Sequence, residues 1–222
     1  MADSSKTLYL WDLADTLFPE VWDKRKSGFE TYDDYVKSLG FDLKTVSPRD
    51  YEWAYEIPFK TSLLKLNLAE GFKETLSWTK NNVAFTTGNK EQLDWRQVQL
   101  GKKYNIDIKR YLWEVRSTFD FGNTNQKTKK MLADILKQKF AEGYKTVVYT
   151  DDNKTNCDFF ISAVKLAAKE GANFNYRLYN IRHGLPTLTK ISKNYFKIGN
   201  LLQLLKQEKI INHHRRRHPD PK

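Results

Sequence analysis

The chain is predicted to fold as a three-layer α/β domain around a parallel sheet, with a small helical segment inserted after the first strand. Short apolar runs alternate with segments of helical periodicity, the pattern of successive βα units. Polar and acidic residues recur at the carboxyl ends of those runs, the edge where ligands gather in parallel sheets. The stretch between the first two runs is long and helical in pattern, so it reads as an insertion.

The first run, 7–11, is short, rich in β-formers and ends at Asp12, so it predicts a buried strand feeding an active-site loop. Residues 18–67 predict a helical cap: Tyr32, Tyr35, Val36 and Leu39 share a helix face that Gly40 ends, and a second helix starts after Ser47-Pro48 and carries Tyr51, Trp53, Ala54 and Tyr55. The aromatic residues Tyr51, Trp53 and Tyr55 read first as packing and second as a substrate pocket. A helix over 69–80 then leads to the strand Val83-Ala84-Phe85, which ends in Thr86-Thr87-Gly88-Asn89. Helix 90–104 is followed by a strand over 111–115 and a polar loop over 117–126. Helix 128–142 stops at Gly143, strand 146–150 ends in Asp151-Asp152, and helix 156–170 stops at Gly171. Strand 176–181 and a last helix over 195–209 complete the pattern. The core is thus expected over 1–17 and 68–212, the cap over 18–67, and a basic tail over 213–222.

With 222 residues, 40% hydrophobic and 29% charged, the chain can bury one core and is too apolar for a disordered one. No apolar stretch approaches the roughly 18 to 20 residues that span a bilayer, and the start lacks a basic segment followed by an apolar one, so the expectation is a cytoplasmic protein without a membrane partner. The single cysteine, Cys157, reads as a small filler on a helix. The net charge of +11 favours anionic ligands without choosing among nucleic acid, phosphorylated metabolites and solubility. The one dense basic run, His213 to His218, reads as a mobile, solvated tail, with contact to RNA or an anionic surface as the alternative.

Asp12, Asp151 and Asp152 together can hold a hard cation such as Mg²⁺, which takes a few carboxylates, waters and substrate phosphate oxygens. A carboxylate beside Mg²⁺ can attack phosphorus, and a threonine hydroxyl and a lysine can hold the phosphoryl oxygens. Taken singly, Asp12 also reads as a loop or capping residue, Thr87 as a helix start and Asp151-Asp152 as a turn. Their order and common placement at strand ends favour a site.

These motifs, in this order, resemble the haloacid dehalogenase (HAD) superfamily over nearly the whole chain. Leu8-Tyr9-Leu10-Trp11-Asp12-Leu13-Ala14-Asp15-Thr16-Leu17 is similar to the family's first motif, an apolar strand followed by Asp-x-Asp-x-Thr-Leu. Val83 to Asn89 is similar to the second, with Thr87 favoured over Thr86 because the family often writes Thr-Gly-Asn. Val147-Val148-Tyr149-Thr150-Asp151-Asp152-Asn153-Lys154-Thr155-Asn156 resembles the fourth, in the branch ending Asp-Asp-x-x-x-Asn. The third motif is a lysine, for which Lys127, Lys129 and Lys130 compete; Lys127 lies 151 − 127 = 24 residues before Asp151, close to the family's separation.

The resemblance implies a Rossmann-like, three-layer HAD-like fold and a Mg²⁺-dependent phosphohydrolase acting through an aspartyl phosphate on a phosphorylated small molecule or nucleotide. It implies catalytic Asp12, Thr87 and Lys127, metal ligation by Asp12, the Ala14 backbone, Asp151 and Asp152, and phosphate binding by Thr87, Gly88 and Lys127. The cap, inserted in the 87 − 16 = 71 residues between motifs, would choose the substrate. Ala14 departs from the pattern, because the family's phosphatases carry there an aspartate that protonates the leaving oxygen and activates water. Acid-base assistance of that kind is worth roughly 10² to 10⁴ in rate. Ala14 is compatible with a substrate that has a good leaving group, or with an ordinary phosphatase carrying a substitution. Two other readings are a noncatalytic protein that binds a phosphorylated ligand or nucleic acid, and a phosphonatase-like hydrolase using a cap lysine such as Lys24, Lys26 or Lys37. Asp15, next to the vacant position, points away on an extended loop and is a poor substitute.

Overall fold

The computed structural model describes residues 6–40, 58, 61–88, 90–122 and 126–217. Its elements in chain order are β1 (Thr7–Trp11), β2 (Glu20–Trp22), α1 (Lys24–Ser27), α2 (Tyr32–Ser38), β3 (Leu64–Leu66), α3 (Phe72–Trp78), β4 (Asn82–Thr86), α4 (Lys90–Tyr104), β5 (Glu114–Ser117), α5 (Lys129–Ala141), β6 (Thr146–Asp151), α6 (Lys154–Lys169), β7 (Asn175–Ile181), β8 (Thr189–Ser192), β9 (Tyr195–Ile198) and α7 (Leu201–Arg217). Seven strands form one sheet in the order β5-β4-β1-β6-β7-β9-β8, parallel except for β8. This is a Rossmann-like α/β arrangement with helices on both faces.

Central β1 is buried on both sides because its alternate residues feed two cores. Leu8 and Leu10 join Val83, Phe85, Val147 and Tyr149 beneath α5 and α6, while Tyr9 and Trp11 join Ala84, Leu76, Leu100 and Leu204 beneath α3, α4 and α7. Local sequence sets the helix limits. The Thr128 side chain caps α5 by accepting from the Met131 N–H, the Asn153 side chain caps α6 by accepting from the Thr155 and Asn156 N–H groups, and the turn after α5 closes at Gly143 with φ 94°. On α6 the buried positions Cys157, Phe160, Val164 and Ala167 recur at helical spacing. α7 is tied to the sheet by Glu208, whose carboxylate accepts from Arg177 Nε and Nη2 at 2.6 Å each, from Tyr179 OH at 2.7 Å and from Tyr9 OH at 3.2 Å.

Three expectations differ from the structure. The region predicted as a helix over 195–209 opens with β9, because Phe196 and Ile198 are buried and Lys197 is exposed, a period of two. β9 pairs with β8 as an edge hairpin, and α7 begins only after Gly199-Asn200, where Asn200 Oδ1 accepts from the Gln203 N–H. Residues 213–217, expected in a mobile tail, continue α7 to Arg217. The third parallel strand lies at Glu114–Ser117 instead of 111–115, since Asp107 caps a 3₁₀ turn over Ile108–Arg110 that occupies the approach.

The insertion is entered and left through an antiparallel ribbon of β2 and β3, with Glu20 opposite Leu66 and Trp22 opposite Leu64. Helix 32–38 forms as predicted, and Gly40 follows it with φ 83°. The second cap helix, with Tyr51, Trp53 and Tyr55, lies outside the described residues. Among the described residues no helix is long and apolar enough to cross a membrane.

Candidate metal centre

Neighbouring strands deliver the acids. Trp11 and Thr150 are partners across β1 and β6, and the Asp12 N–H donates to the Thr150 carbonyl at 2.9 Å, so Asp12 leaves the sheet beside Asp151. Lys127, just before the cap of α5, donates to Asp12 Oδ1 at 2.5 Å and to Asp151 Oδ2 at 2.9 Å. Its side chain is fully buried between the rings of Phe85 and Tyr149, with centroids 5.4 and 5.9 Å from the ammonium. Lys129 and Lys130 are exposed, so the structure brings Lys127 alone of the three to the acids.

Asp12, Asp151 and Asp152 each present a carboxylate oxygen within 4.8 Å of the others, so the trio could hold a metal ion. The three acids are not equivalent. Asp151 accepts from Lys127, from Tyr149 OH at 2.6 Å, from the Asn153 N–H at 2.8 Å and from Asn156 Nδ2, which lies 3.2 Å from both oxygens. A carboxylate offers about four lone-pair directions, so Asp151 is fully engaged as an anchor for Lys127. Asp12 and Asp152 keep open positions. Asp152 is held from behind, its N–H donating to Thr16 Oγ1 at 3.0 Å and the Thr16 hydroxyl donating to Asp152 Oδ1 at 3.4 Å. Asn180, on β7, fixes the same turn by donating to the Asp151 and Asp152 carbonyls at 3.0 and 2.8 Å.

Burial raises the Asp12 carboxyl to about 7 against the attraction of Lys127, with repulsion from Asp151 and Asp152 adding to the rise. Burial, then the neighbouring Asp151 and Asp15, raise Asp152 to about 6. Burial alone would lower the Lys127 ammonium, but the two acids outweigh it and hold it above its ordinary value. Folded-state values above the ordinary carboxylate range mean that the folded protein keeps protons the unfolded chain has released. Stability therefore falls as pH rises through the window from about 4 to 7. A divalent cation held by the three acids would bind their ionised forms and so oppose that loss. Mg²⁺ at about 100 times its dissociation constant is expected to add about 2.7 kcal/mol, raising the melting midpoint about 5–10 °C near pH 8 and little near pH 5. Thermal unfolding with and without Mg²⁺ checks this, and an unchanged midpoint near pH 8 would rule out the cation.

The second-strand residues are placed differently. Thr86 closes β4, and its hydroxyl accepts from the Gly88 N–H at 3.1 Å. The Gly88 carbonyl accepts from Ser117 Oγ at 2.6 Å. Thr87 is half-buried between them, and among the described residues no hydrogen bond joins it or Gly88 to the acidic cluster. Ala14 sits in the turn after Asp12, bridged to Phe18. Asp15 is exposed with φ 55°; its Oδ1 accepts from the Glu20 N–H at 3.0 Å, and its carbonyl meets His183 Nε2 at 2.8 Å. Cys157 is buried, its thiol 3.8 Å from the Asp151 carbonyl and pushed up by burial.

Sequence reasoning did not single out Thr16, Tyr149 and Asn180 as site supports. Thr16 and Tyr149 lie within the quoted motifs, while Asn180 carries no sequence signal beyond its place near a strand end. No family model matches the chain, and no curated protein matches it significantly.

Proposed function

We propose that the chain is a HAD-like phosphohydrolase that uses Mg²⁺ and acts on a phosphorylated small molecule or nucleotide. The observation that carries this reading is Asp12 just past the end of β1, beside a buried lysine and two further acids, Asp151 and Asp152, at the end of β6. Lys127 occupies Oδ1 of Asp12, which leaves Oδ2 to attack phosphorus while the ester P–O bond breaks. Ionised Asp12 is required, so the attack gains as pH rises through about 7. Water then attacks the aspartyl phosphate, releasing inorganic phosphate and restoring Asp12. When bound, Mg²⁺ supplies charge neutralisation on the phosphoryl oxygens, held by Asp12, Asp152, the Ala14 carbonyl and, if Asn156 yields, Asp151. Thr87, half-buried at this loop, serves as the phosphate donor with Lys127 opposite; Thr86, whose oxygen accepts from the Gly88 N–H and whose own hydrogen is left to donate, is the alternative. The insertion over 18–67 acts as the cap that selects substrate.

Ala14 can neither protonate the leaving oxygen nor activate water, and Asp15 is exposed and turned to Glu20. This favours a substrate whose leaving group departs without a proton. Two of the candidate cap lysines are held elsewhere, Lys24 by Glu30 at 2.6 Å and Lys26 by the Thr61 carbonyl at 2.5 Å, which gives an imine route no support. The same missing acid is the observation behind a second reading, a noncatalytic protein that binds phosphorylated ligands. Hydrolysis of aryl and alkyl phosphates with Mg²⁺ separates the two. Ala14→Asp is expected to raise alkyl phosphate turnover at least about tenfold and aryl turnover less, because phenolate leaves without help. No gain would remove the missing acid as the explanation, and no turnover in either form would favour the binding protein.

A further inference from the structure

We infer, on the footing of that phosphohydrolase chemistry, that the turn after β7 receives the leaving group through His183 and Arg182, and that the leaving group is itself a phosphate, so the substrate is a phosphoanhydride. The turn stands beside the acidic cluster. β1 and β7 flank β6 on either side, so their ends lie about 10 Å apart. Asp152, at the end of β6 between them, is held from the β1 side by Thr16 and from the β7 side by Asn180. The two loops meet one residue before Thr16 and three after Asn180, where His183 Nε2 lies 2.8 Å from the Asp15 carbonyl. His183 thus reaches the loop one residue past Ala14, where the proton donor to the leaving oxygen is missing.

A carbonyl only accepts, so Nε2 bears the hydrogen of that contact and Nδ1 is left for a ligand. The Asp15 carboxylate is turned to the neck of the insertion, its Oδ1 accepting from the Glu20 N–H at 3.0 Å. Arg182 is exposed next to His183, and its charge reaches the Tyr195 hydroxyl, on the flank of α6 that carries Cys157 and Asp158. Asp158 is itself held by Lys154 at 2.7 Å, and among the described residues no acid pairs with Arg182 or His183. A tie between two loops needs one donor and no charge. This turn adds to it an exposed guanidinium and an exposed imidazole that can take a second proton.

Ala14 and this turn together select the leaving group. Without an acid at position 14 a strongly basic alkoxide departs poorly, whereas a phosphate, a carboxylate or a phenolate departs as the anion. A phenolate calls for a ring surface, and the turn offers a guanidinium and an imidazole instead. A phosphate, with about two negative charges and several acceptor oxygens, matches that pair better than a carboxylate with one charge. Asp12 Oδ2 forms its bond to the terminal phosphorus, the bond from that phosphorus to the bridging oxygen breaks, and the departing phosphate keeps the electron pair. Water then attacks the aspartyl phosphate, the electron pair of the P–O bond returns to Asp12 Oδ2, and the proton of the water passes to solvent.

Initial rates of the full chain with Mg²⁺ on pyrophosphate, acetyl phosphate, phenyl phosphate and glycerol phosphate test this. Pyrophosphate is expected to show a kcat/KM at least about tenfold above each of the others. In the double variant Arg182→Gln, His183→Gln its lead over phenyl phosphate is expected to shrink at least about tenfold. Glutamine at position 183 can still donate to the Asp15 carbonyl, so the loop tie is kept while the charge is lost. Calorimetry with methylenediphosphonate, whose P–C–P link is not cut, reads the same subsite without turnover. It is expected to bind at least about tenfold more tightly than methylphosphonate, and the double variant to lose most of that margin. Should the double variant lose its fold by circular dichroism, His183→Gln alone decides, with the lead shrinking about threefold. Phenyl or acetyl phosphate turned over as fast as pyrophosphate, an equal loss on pyrophosphate and phenyl phosphate, or equal binding of the two phosphonates would overturn the inference and leave the phosphohydrolase reading standing. No turnover of any of the four and no acid-labile phosphorylation would remove that reading and the inference with it.

Discussion

Asp12→Asn is expected to abolish Mg²⁺-dependent, acid-labile phosphorylation of the chain and to lower phosphate ester turnover by at least about 10³-fold. The substitution is nearly isosteric, and an amide oxygen can still accept from Lys127, so the geometry that joins position 12 to Lys127 is preserved. What is lost is the carboxylate that forms the bond to phosphorus. The variant should not unfold, because it removes a carboxyl that burial and the neighbouring acids already push above its ordinary range. Labelling with a reactive phosphate donor, followed by acid treatment and mass analysis, reads the result. Phosphate retained on the Asp12→Asn variant would place the nucleophile elsewhere and sink the proposed chemistry.

Lys127→Met is expected to cost about 3–5 kcal/mol of stability near pH 8, the usual range for removing one partner of a buried ion pair. Methionine fills the space between Phe85 and Tyr149 but leaves Asp12 and Asp151 without their shared cation. The raised Lys127 value means that its contribution is complete below the ordinary lysine range and is lost only above it, so near pH 8 it is fully present. Near pH 5 the cost should shrink, because Asp12 and Asp152 then take up protons and less negative charge is left uncompensated. Denaturant unfolding at the two pH values measures the difference. An equal cost at both would mean that Lys127 acts by packing and not by charge.

Five parallel strands and most of the helices could be read from the sequence, because periodicity and caps are local. β1 and β6 are short β-branched or aromatic runs, and Thr128, Asn153 and Gly143 mark helix limits on their own. β9 was not separated from α7, since a strand of four residues shows its period of two through Lys197 alone and the break at Gly199-Asn200 is short. The ribbon of β2 and β3 depends on pairing residues more than forty positions apart, which no local pattern reports. At the site, Asp12 and Asp151 were legible as strand-end acids. The choice among Lys127, Lys129 and Lys130 was not settled by spacing, because three lysines in four positions differ only in which one the turn before α5 buries. The unequal engagement of Asp151 and Asp152 depends on Tyr149, Asn156 and Thr16 meeting them in space.

The neck of the insertion has a consequence for exchange of parts. The chain leaves the core at Leu17 and Pro19 and returns at Asn67 and Ala69, with the Asn67 N–H donating to the Pro19 carbonyl at 2.9 Å and the Ala69 N–H to the Leu17 carbonyl at 3.0 Å. Two junctions so close together mean that whatever lies between them closes a loop whose ends the scaffold already holds. Lengthening such a loop adds only about 0.6 kcal/mol per doubling. A graft across these two cut points could therefore replace the whole intervening module while the sheet and its acids stay as they are.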